Sequence, residues 1–305
     1  MRFVKQKKFM TLLLLALSIF VYIYLTKPVK LNSKADPKSE FYINDLYSSE
    51  GRIYKNYLNE DEKKLYMTLL DDVRNHRSSR SFLLSDYNCN GYEKCFAMLH
   101  TLFDTFVVEY PEAMDFSTFM WESDGVNLKI TYLYATPLKA FDTIGEQRIK
   151  RIINDIIIET KDMTDEEKIL YVYEYMGENF KYDKVFTYTS KNQSVFNVFI
   201  RKNAVCAGFA KASQIIFQNI GIESYGITGE SSGPHMWNVI KLNGKYYYFD
   251  ATVAVSWRDK TNKYFYRGLS QNYLNAYTAD HPEWYPTIEQ NDYTRMDGNK
   301  IEFIS

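Results

Sequence analysis

Three short stretches decide how this chain folds: Val205–Ala210 (VCAGFA), His235–Asn238 (HMWN) and Tyr248–Thr252 (YFDAT). In this order they supply a cysteine, a histidine and an aspartate. Thiolate chemistry needs a sulfur whose proton passes to a nearby base, and a third group that holds that base in place. The three side chains are therefore a candidate nucleophile, base and orienting group, provided that the fold brings them together.

The residues after the cysteine predict an amphipathic helix from Cys206 to Gly221. Ile215, Ile216 and Ile220 recur with helical spacing, and Gly221 is a typical stop signal at a helix C-terminus. Cys206 then lies at or just before the helix N-terminus. The helix dipole favours the thiolate there over the neutral thiol.

The histidine and the aspartate lie on a predicted β-hairpin. The strand-like runs 235–242 and 245–250 flank the dipeptide Asn243-Gly244. Asn-Gly between two such runs is a strong hairpin signal, because a type I′ turn needs positive φ at both positions. The turn also fixes the register, with Leu242 opposite Lys245.

This register brings the histidine and the aspartate close together. Counting back from the turn, Trp237 falls opposite Asp250, and His235 falls opposite Thr252. His235, Trp237 and Asp250 then share one face, because side chains alternate along a strand. Asp250 becomes a diagonal neighbour of His235, at roughly 7 Å along the backbone, close enough to orient the imidazole.

The three stretches together resemble the transglutaminase-like superfamily, and the resemblance covers roughly residues 165–285. It implies an α+β fold with a papain-like core, in which the nucleophile helix packs on an antiparallel sheet. On this resemblance Cys206 is the nucleophile, His235 is the general base and acid, and Asp250 orients the imidazole. One departure is the segment Val253–Trp257, where many relatives carry Trp and acidic residues directly after the Thr.

Three further residues of these motifs are expected to support the site or contact substrate: Gly208, Trp237 and Asn238. Of these, Trp237 is expected to pack against the His235 ring rather than to bind substrate.

The resemblance implies acyl transfer from a peptide or glutamine amide through a thioester on Cys206. The backbone N–H of Cys206 is one candidate donor to the oxyanion, and no residue stands out as the second. Water as acceptor gives a peptidase or amidase, whereas a lysine amine gives a crosslinking transglutaminase. The alternative is a non-catalytic peptide-binding or scaffolding protein on the cell surface, although such a protein would usually have lost one member of the triad.

The sequence predicts neither a metal site nor a cofactor. It contains no Cys-x₂₋₄-Cys or His-x₃₋₅-His pair, no phosphate loop and no dinucleotide-binding fingerprint. His76, His100 and His281 are expected to have structural roles.

Residues 1–30 form a separate segment with a basic start and the apolar run Phe9–Leu25. They hold six of the 37 Lys and Arg of the chain and none of its 38 Asp and Glu. The positive-inside rule then predicts one pass through the cell membrane with the catalytic domain outside. A cleaved signal peptide, and hence secretion, is the alternative.

The rest of the chain has seven more acidic than basic side chains, which argues against a nucleic-acid partner. An exported enzyme of this kind is expected to act on a protein or on a cell-wall peptide.

The remaining sequence divides into a stalk at residues 31–40, a mostly helical region at 41–160 and a catalytic domain at 161–305. Periodicity and capping-box patterns predict helices near residues 60–76, 92–109, 149–160 and 165–180, and a strand at 126–134. Cys89 and Cys95 lie six apart across an Asn-Gly turn, and in an oxidising compartment they are expected to form a disulfide. Cys206 would then be the single free thiol.

Overall fold

The computed structural model describes residues 52–87, 91–111, 113–136, 139–185, 191–257 and 277–291. They form a mixed fold of helices and mainly antiparallel sheets, which confirms the α+β class. The α-helices are α1 (Arg52–Tyr57), α2 (Glu60–Arg74), α3 (Tyr92–Glu109), α4 (Lys139–Thr160), α5 (Asp165–Asn179), α6 (Cys206–Asn219) and α7 (Ala251–Trp257). The strands are β1 (Ser79–Leu83), β2 (Phe116–Ser123), β3 (Asn127–Tyr134), β4 (Lys181–Tyr182), β5 (Asn203–Ala204), β6 (Ser224–Ser231), β7 (Pro234–Leu242), β8 (Lys245–Phe249) and β9 (Tyr277–Ala279).

The first part of the chain is built on a three-stranded antiparallel sheet with the strand order β1-β3-β2. Helices α2 and α3 share one apolar core with this sheet, which includes Leu69 and Phe106. The sequence predicts a mostly helical region with a single strand, at β3, whereas the structure has two further strands there, β1 and β2. These two strands are stabilised by pairing with β3, and such pairing cannot be seen in the sequence of either strand alone.

Both predicted capping boxes are confirmed. Asn59 accepts the backbone N–H of Glu62 at the start of α2, and the Glu62 carboxylate accepts the N–H of Asn59 in return. Thr164 and Glu167 make the same reciprocal pair at the start of α5. Each box satisfies backbone N–H groups that a helix leaves without an internal partner.

A buried carboxylate ties α2 to the first sheet. Asp72 has no exposed surface, and it accepts hydrogen bonds from Arg77 Nε at 2.6 Å, Arg80 Nε at 2.6 Å and Tyr132 Oη at 2.5 Å. Burial alone would raise the pKa of Asp72, but the bonds from Arg80, Tyr132 and Arg77 outweigh it and lower the pKa. The charge of Asp72 is therefore fully matched inside the protein.

Helix α6 lies at the centre of the second core. Every residue from Cys206 to Phe217 is buried. Helices α4, α5 and α7 contribute to this core, and the sheet β8-β7-β6-β9 packs against α6. The isoleucines of α4 belong to it too, although α4 precedes residue 160, where the sequence analysis ends the N-terminal region. The domain boundary itself stays a prediction.

The predicted hairpin is present with the predicted register. Leu242 pairs with Lys245, and the turn residues Asn243 and Gly244 have φ values of 50° and 79°. The ladder ends at the pair formed by Asn238 and Phe249.

The chain departs from the predicted strand directly after this ladder. Asp250 follows the last paired residue, and Thr252 lies in helix α7 rather than opposite His235. The reason is local, because the N–H of Thr252 donates to the Asp250 carboxylate at 2.8 Å and starts the helical turn.

Some predictions fall on residues outside the described ranges. The N-terminal segment 1–30, the stalk and Cys89 lie there, so the membrane anchor and the Cys89–Cys95 disulfide stay predictions. Among the residues that the structure describes, no helix has both the length and the apolar character needed to span a bilayer.

Candidate active site

Cys206 is the first residue of helix α6 and carries a free thiol. Its side chain is nearly buried, with 8 % of the residue exposed. The preceding residue, Val205, is extended, with φ −103° and ψ 179°, and its N–H donates to the Asn192 carbonyl at 3.1 Å. The nucleophile candidate is thus held at a helix N-terminus, as the sequence predicts.

His235 and Asp250 form a direct pair. The imidazole Nε2 lies 2.8 Å from Asp250 Oδ2, and both side chains are mostly buried, at 13 % and 9 % exposure. The other carboxylate oxygen, Oδ1, accepts the N–H of Thr252 at 2.8 Å. The hairpin brings His235 to the carboxylate, and the first turn of α7 fixes the orientation of that carboxylate.

The Cys206 thiol lies close enough to His235 to contribute to the pKa of the imidazole. Because Nε2 binds Asp250, Nδ1 is the ring nitrogen left to face the sulfur. Burial alone would lower the pKa of His235. The charge of Asp250, the hydrogen bond to it and the nearby Cys206 thiol outweigh burial and raise the pKa to about 10.

The carboxylate of Asp250 is stabilised in its charged form. Burial raises its pKa, but the charge of His235 and the bonds from His235, Tyr277 and Thr252 outweigh burial and lower the pKa. His235 and Asp250 therefore form an ion pair over a wide range of pH.

Tyr182 is a site residue that the sequence analysis missed. Strand β4 pairs with β5 in parallel register, so that Tyr182 lies beside Ala204, two residues before Cys206. Its hydroxyl lies close enough to Cys206 for that residue to influence the pKa of the phenol. Burial and the charge on the Cys206 sulfur raise the pKa of Tyr182 to about 12. An isolated tyrosine in a strand of two residues gives no sequence signal, because only the pairing with β5 brings it here.

Trp237 supports the imidazole, as expected. Its fully buried indole stacks on His235, with ring centroids 5.9 Å apart and an interplanar angle of 18°. On the same strand, the Asn238 amide donates to the Ala210 carbonyl of α6 at 3.0 Å. This bond joins the strand that carries the base to the helix that carries the nucleophile.

Gly208 allows a close approach of the chain to helix α6. A Cβ at this position would lie 2.9 Å from Ala204 Cβ and 3.2 Å from the Ser194 carbonyl oxygen. The residue therefore lets β5 pack directly on the first turn of the helix. Gly208 supports the site through this packing.

The other histidines make structural contacts. His76 bonds Asp115 at 2.9 Å and stacks on Tyr134, whereas His281 stacks on Trp284. Within the described ranges, no group of three or more His, Cys, Asp or Glu side chains is arranged to hold a metal ion.

Part of the chain that carries this site is similar to a known protein family. Residues 153–251 match the family model described as the transglutaminase-like superfamily. No curated protein matches the chain. Among solved structures, a TGase is 16% identical over 44% of this chain and 44% of that chain, with a TM-score of 0.33. The periplasmic domain of TgpA from Pseudomonas aeruginosa is 12% identical over 43% of this chain and 55% of that chain, with a TM-score of 0.30.

This chain thus spans about half the length of these two solved structures. The family match includes the first two motifs in full, the third up to Ala251, and Tyr182. Residues 153–251 of this chain, which carry Cys206, His235 and Asp250, are thus similar to the transglutaminase-like superfamily.

Proposed function

We propose that this chain is a cysteine acyl-transfer enzyme that acts outside the cytoplasm. It would cleave or transfer a peptide or glutamine amide through a thioester on Cys206. The observation that carries the proposal is the direct His235–Asp250 pair, with the free thiol of Cys206 close enough to His235 to help raise its pKa. A buried thiol with a purely structural role needs neither an imidazole beside it nor a carboxylate behind that imidazole.

The first half-reaction forms the thioester. The Cys206 thiolate attacks the amide carbonyl carbon, while His235 carries the proton that has left the sulfur. The carbon–nitrogen bond then breaks, and His235 gives its proton to the departing amine. Asp250 stabilises the imidazolium until that transfer, which is the role of the third residue in such triads.

The second half-reaction returns the enzyme to its starting state. Neutral His235 takes a proton from the acceptor, which is water or an amine, and the acceptor attacks the thioester carbon. The carbon–sulfur bond breaks, and Cys206 leaves as the thiolate beside a protonated His235. The product is an acid with water, or a new amide with an amine.

Two donors are available to the oxyanion that forms in each half-reaction. One is the backbone N–H of Cys206, at the positive end of helix α6. We assign Tyr182 as the second, because its hydroxyl lies close to Cys206. The substrate oxygen would then accept hydrogen bonds from both the N–H of Cys206 and the Tyr182 hydroxyl.

The proposed location rests on the basic and apolar pattern of residues 1–30. Such a topology would place the catalytic residues where surface proteins or cell-wall peptides are the available substrates.

Alkylation of the full-length protein tests the proposed machinery. Iodoacetamide should modify Cys206 rapidly near pH 6, because the imidazolium of His235 stabilises the thiolate. His235→Ala should slow this reaction strongly, and Asp250→Ala should slow it less, because Asp250 only orients and stabilises the imidazole. Alkylation that follows an ordinary thiol titration in all three proteins would contradict the proposal.

A second assay identifies the acceptor. The protein is incubated with a glutamine-containing peptide and a labelled primary amine, with Cys206→Ala as the control. Incorporation of the amine indicates a crosslinking enzyme, and release of ammonia alone indicates an amidase. Peptide binding with neither product, together with an unreactive Cys206, would favour the non-catalytic peptide-binding protein.

A further inference from the structure

A second side chain, besides that of His235, binds the carboxylate of Asp250. The hydroxyl of Tyr277 donates to Oδ2 at 2.7 Å, and this is the same oxygen that lies 2.8 Å from His235 Nε2. The other oxygen, Oδ1, is occupied by the N–H of Thr252. The carboxylate that faces the imidazole is therefore held by one backbone donor and by one phenol.

Tyr277 reaches this carboxylate from the far edge of the sheet. Strand order is β8-β7-β6-β9, so Tyr277 on β9 and Asp250 after β8 belong to opposite edges. The Tyr277 ring crosses the sheet face above Trp237, with centroids 5.1 Å apart, and meets His235 at 5.7 Å. Its ring thus covers the His235–Asp250 pair, while its hydroxyl binds one member of it.

An independent feature of the backbone permits this arrangement. Gly229 on β6 pairs with Ala279 on β9 and with His235 on β7. A Cβ at Gly229 would lie 2.1 Å from the Thr278 carbonyl oxygen and 2.8 Å from Trp237 Cη2. Only glycine lets β9 approach closely enough to bring Tyr277 over the pair.

We propose that Tyr277 is a positioning residue that fixes the orientation and the charge of the Asp250 carboxylate, and through it the state of His235. This inference rests on the proposed function, since it assigns Tyr277 to the same site. A residue needed only for packing would use its ring, whereas Tyr277 places its hydroxyl on the oxygen that binds the base. The pKa of Asp250 is lowered mainly by the charge of His235 and by the bond from His235. The bond from Tyr277 lowers it further.

The test compares two hydroxyl deletions in one aromatic cluster of the full-length protein. Tyr277→Phe removes the donor to Asp250. Tyr248→Phe is the matched control, because the Tyr248 ring contacts both Trp237 and Tyr277 while its hydroxyl makes no bond to Asp250. The readout is the downfield proton resonance of His235 Nε2–H, followed by NMR as the pH is lowered and assigned by its loss in Asp250→Asn.

In the unmodified protein this resonance should persist until Asp250 takes up a proton. Tyr277→Phe should move its loss to higher pH by about one unit, which is a tenfold change in proton affinity. Tyr248→Phe should leave the pH of the loss unchanged. Replacing Tyr277 by 3-fluorotyrosine, a stronger donor of almost the same shape, should move the loss to lower pH and serves even where Tyr277→Phe folds poorly.

The inference would be overturned if the His235 resonance disappeared at the same pH in the unmodified protein and in either Tyr277→Phe or the 3-fluorotyrosine protein. An equal shift in Tyr248→Phe would also overturn it, because the effect would then belong to packing. Neither outcome would contradict the proposed function. That proposal fails separately, if the rate of Cys206 alkylation is unchanged by His235→Ala.

Discussion

Tyr182 pairs with Ala204 in a parallel pair of strands that is only two residues long, and this pairing brings the Tyr182 hydroxyl to Cys206. Lys181 and Asp183 fix the pair on either side, donating their N–H groups to the carbonyls of Lys202 and Ala204 at 3.0 Å and 2.8 Å. A short and regular piece of backbone thus sets the position of the proposed second oxyanion donor.

Tyr182→Phe should therefore lower kcat for amide hydrolysis by about 10²–10³, the usual effect of removing one oxyanion donor. Iodoacetamide alkylation of Cys206 forms no oxyanion and should change far less. Tyr175→Phe on helix α5, another tyrosine beside the same core, is the control and should alter neither rate. Equal losses in hydrolysis and alkylation would mean that Tyr182 acts on the thiol instead.

The pH profile should report the His235–Asp250 pair. Since the pKa of His235 is raised from 6.5 to about 10, the ion pair is fully present below the ordinary value and is lost as the pH rises through about 10. The alkaline limb of hydrolysis should fall in that range, because the leaving amine needs the imidazolium proton. Asp250→Asn should shift this limb to lower pH. An unchanged limb would mean that Asp250 does not set the pKa of His235.

Gly208→Ala should destabilise the protein by about 1–3 kcal/mol, because the new methyl group would press on Ala204 and on the Ser194 carbonyl. Ser213→Ala is the control on the same helix, since its buried hydroxyl has no hydrogen-bond partner among the described residues and its loss should cost little. The free energies of unfolding from urea titrations provide the comparison. Equal stability of Gly208→Ala and the parent protein would contradict the close packing of β5 on α6.

Asp72→Ala should cost about 3–5 kcal/mol of unfolding free energy, because it leaves two arginines beside an emptied buried site. Asp72 also has a lowered pKa, so its contribution is present above the ordinary value of 3.8 and is lost as the pH falls through the lower folded-state value. The neighbouring exposed residue gives the control, Asp71→Ala, which should stay within about 1 kcal/mol of the parent. Urea titrations of the two variants at neutral pH measure the difference.

Topology can be measured directly. A reporter that is active only outside the membrane, fused after residue 40, should be active, because residues 1–30 have the basic and apolar pattern of an exported segment. Mass spectrometry of the mature chain then distinguishes a retained anchor from a cleaved signal peptide. An inactive reporter would place the catalytic residues in the cytoplasm and contradict the proposed location.

The sequence predicted those features that depend on neighbouring residues. The turn at Asn243-Gly244 sets the hairpin register by itself, and the capping box that begins at Asn59 marks the start of a helix. The same locality explains why Cys206 could be placed at a helix N-terminus.

Features that depend on distant pairings were missed for the same reason. Tyr182 and Tyr277 reach the site only because β4 pairs with β5 and β9 pairs with β6. The chain separates Tyr277 from Asp250 by 27 positions, and no short pattern records that they meet. Thr252 shows the limit of counting along a strand, since its bond to Asp250 ends the strand and begins a helix.

The burial of helix α6 has a consequence for what can enter the site. From Cys206 to Phe217 the helix is enclosed, and only 8 % of Cys206 and 13 % of the His235 side chain are exposed. Because so little of Cys206 is exposed, the scissile group has to reach inward to meet the sulfur. A rigid folded surface is too broad to do this. An enzyme with this site would select its substrates first by their flexibility, favouring tails, loops and unstructured peptides. Selection by side chain would come second.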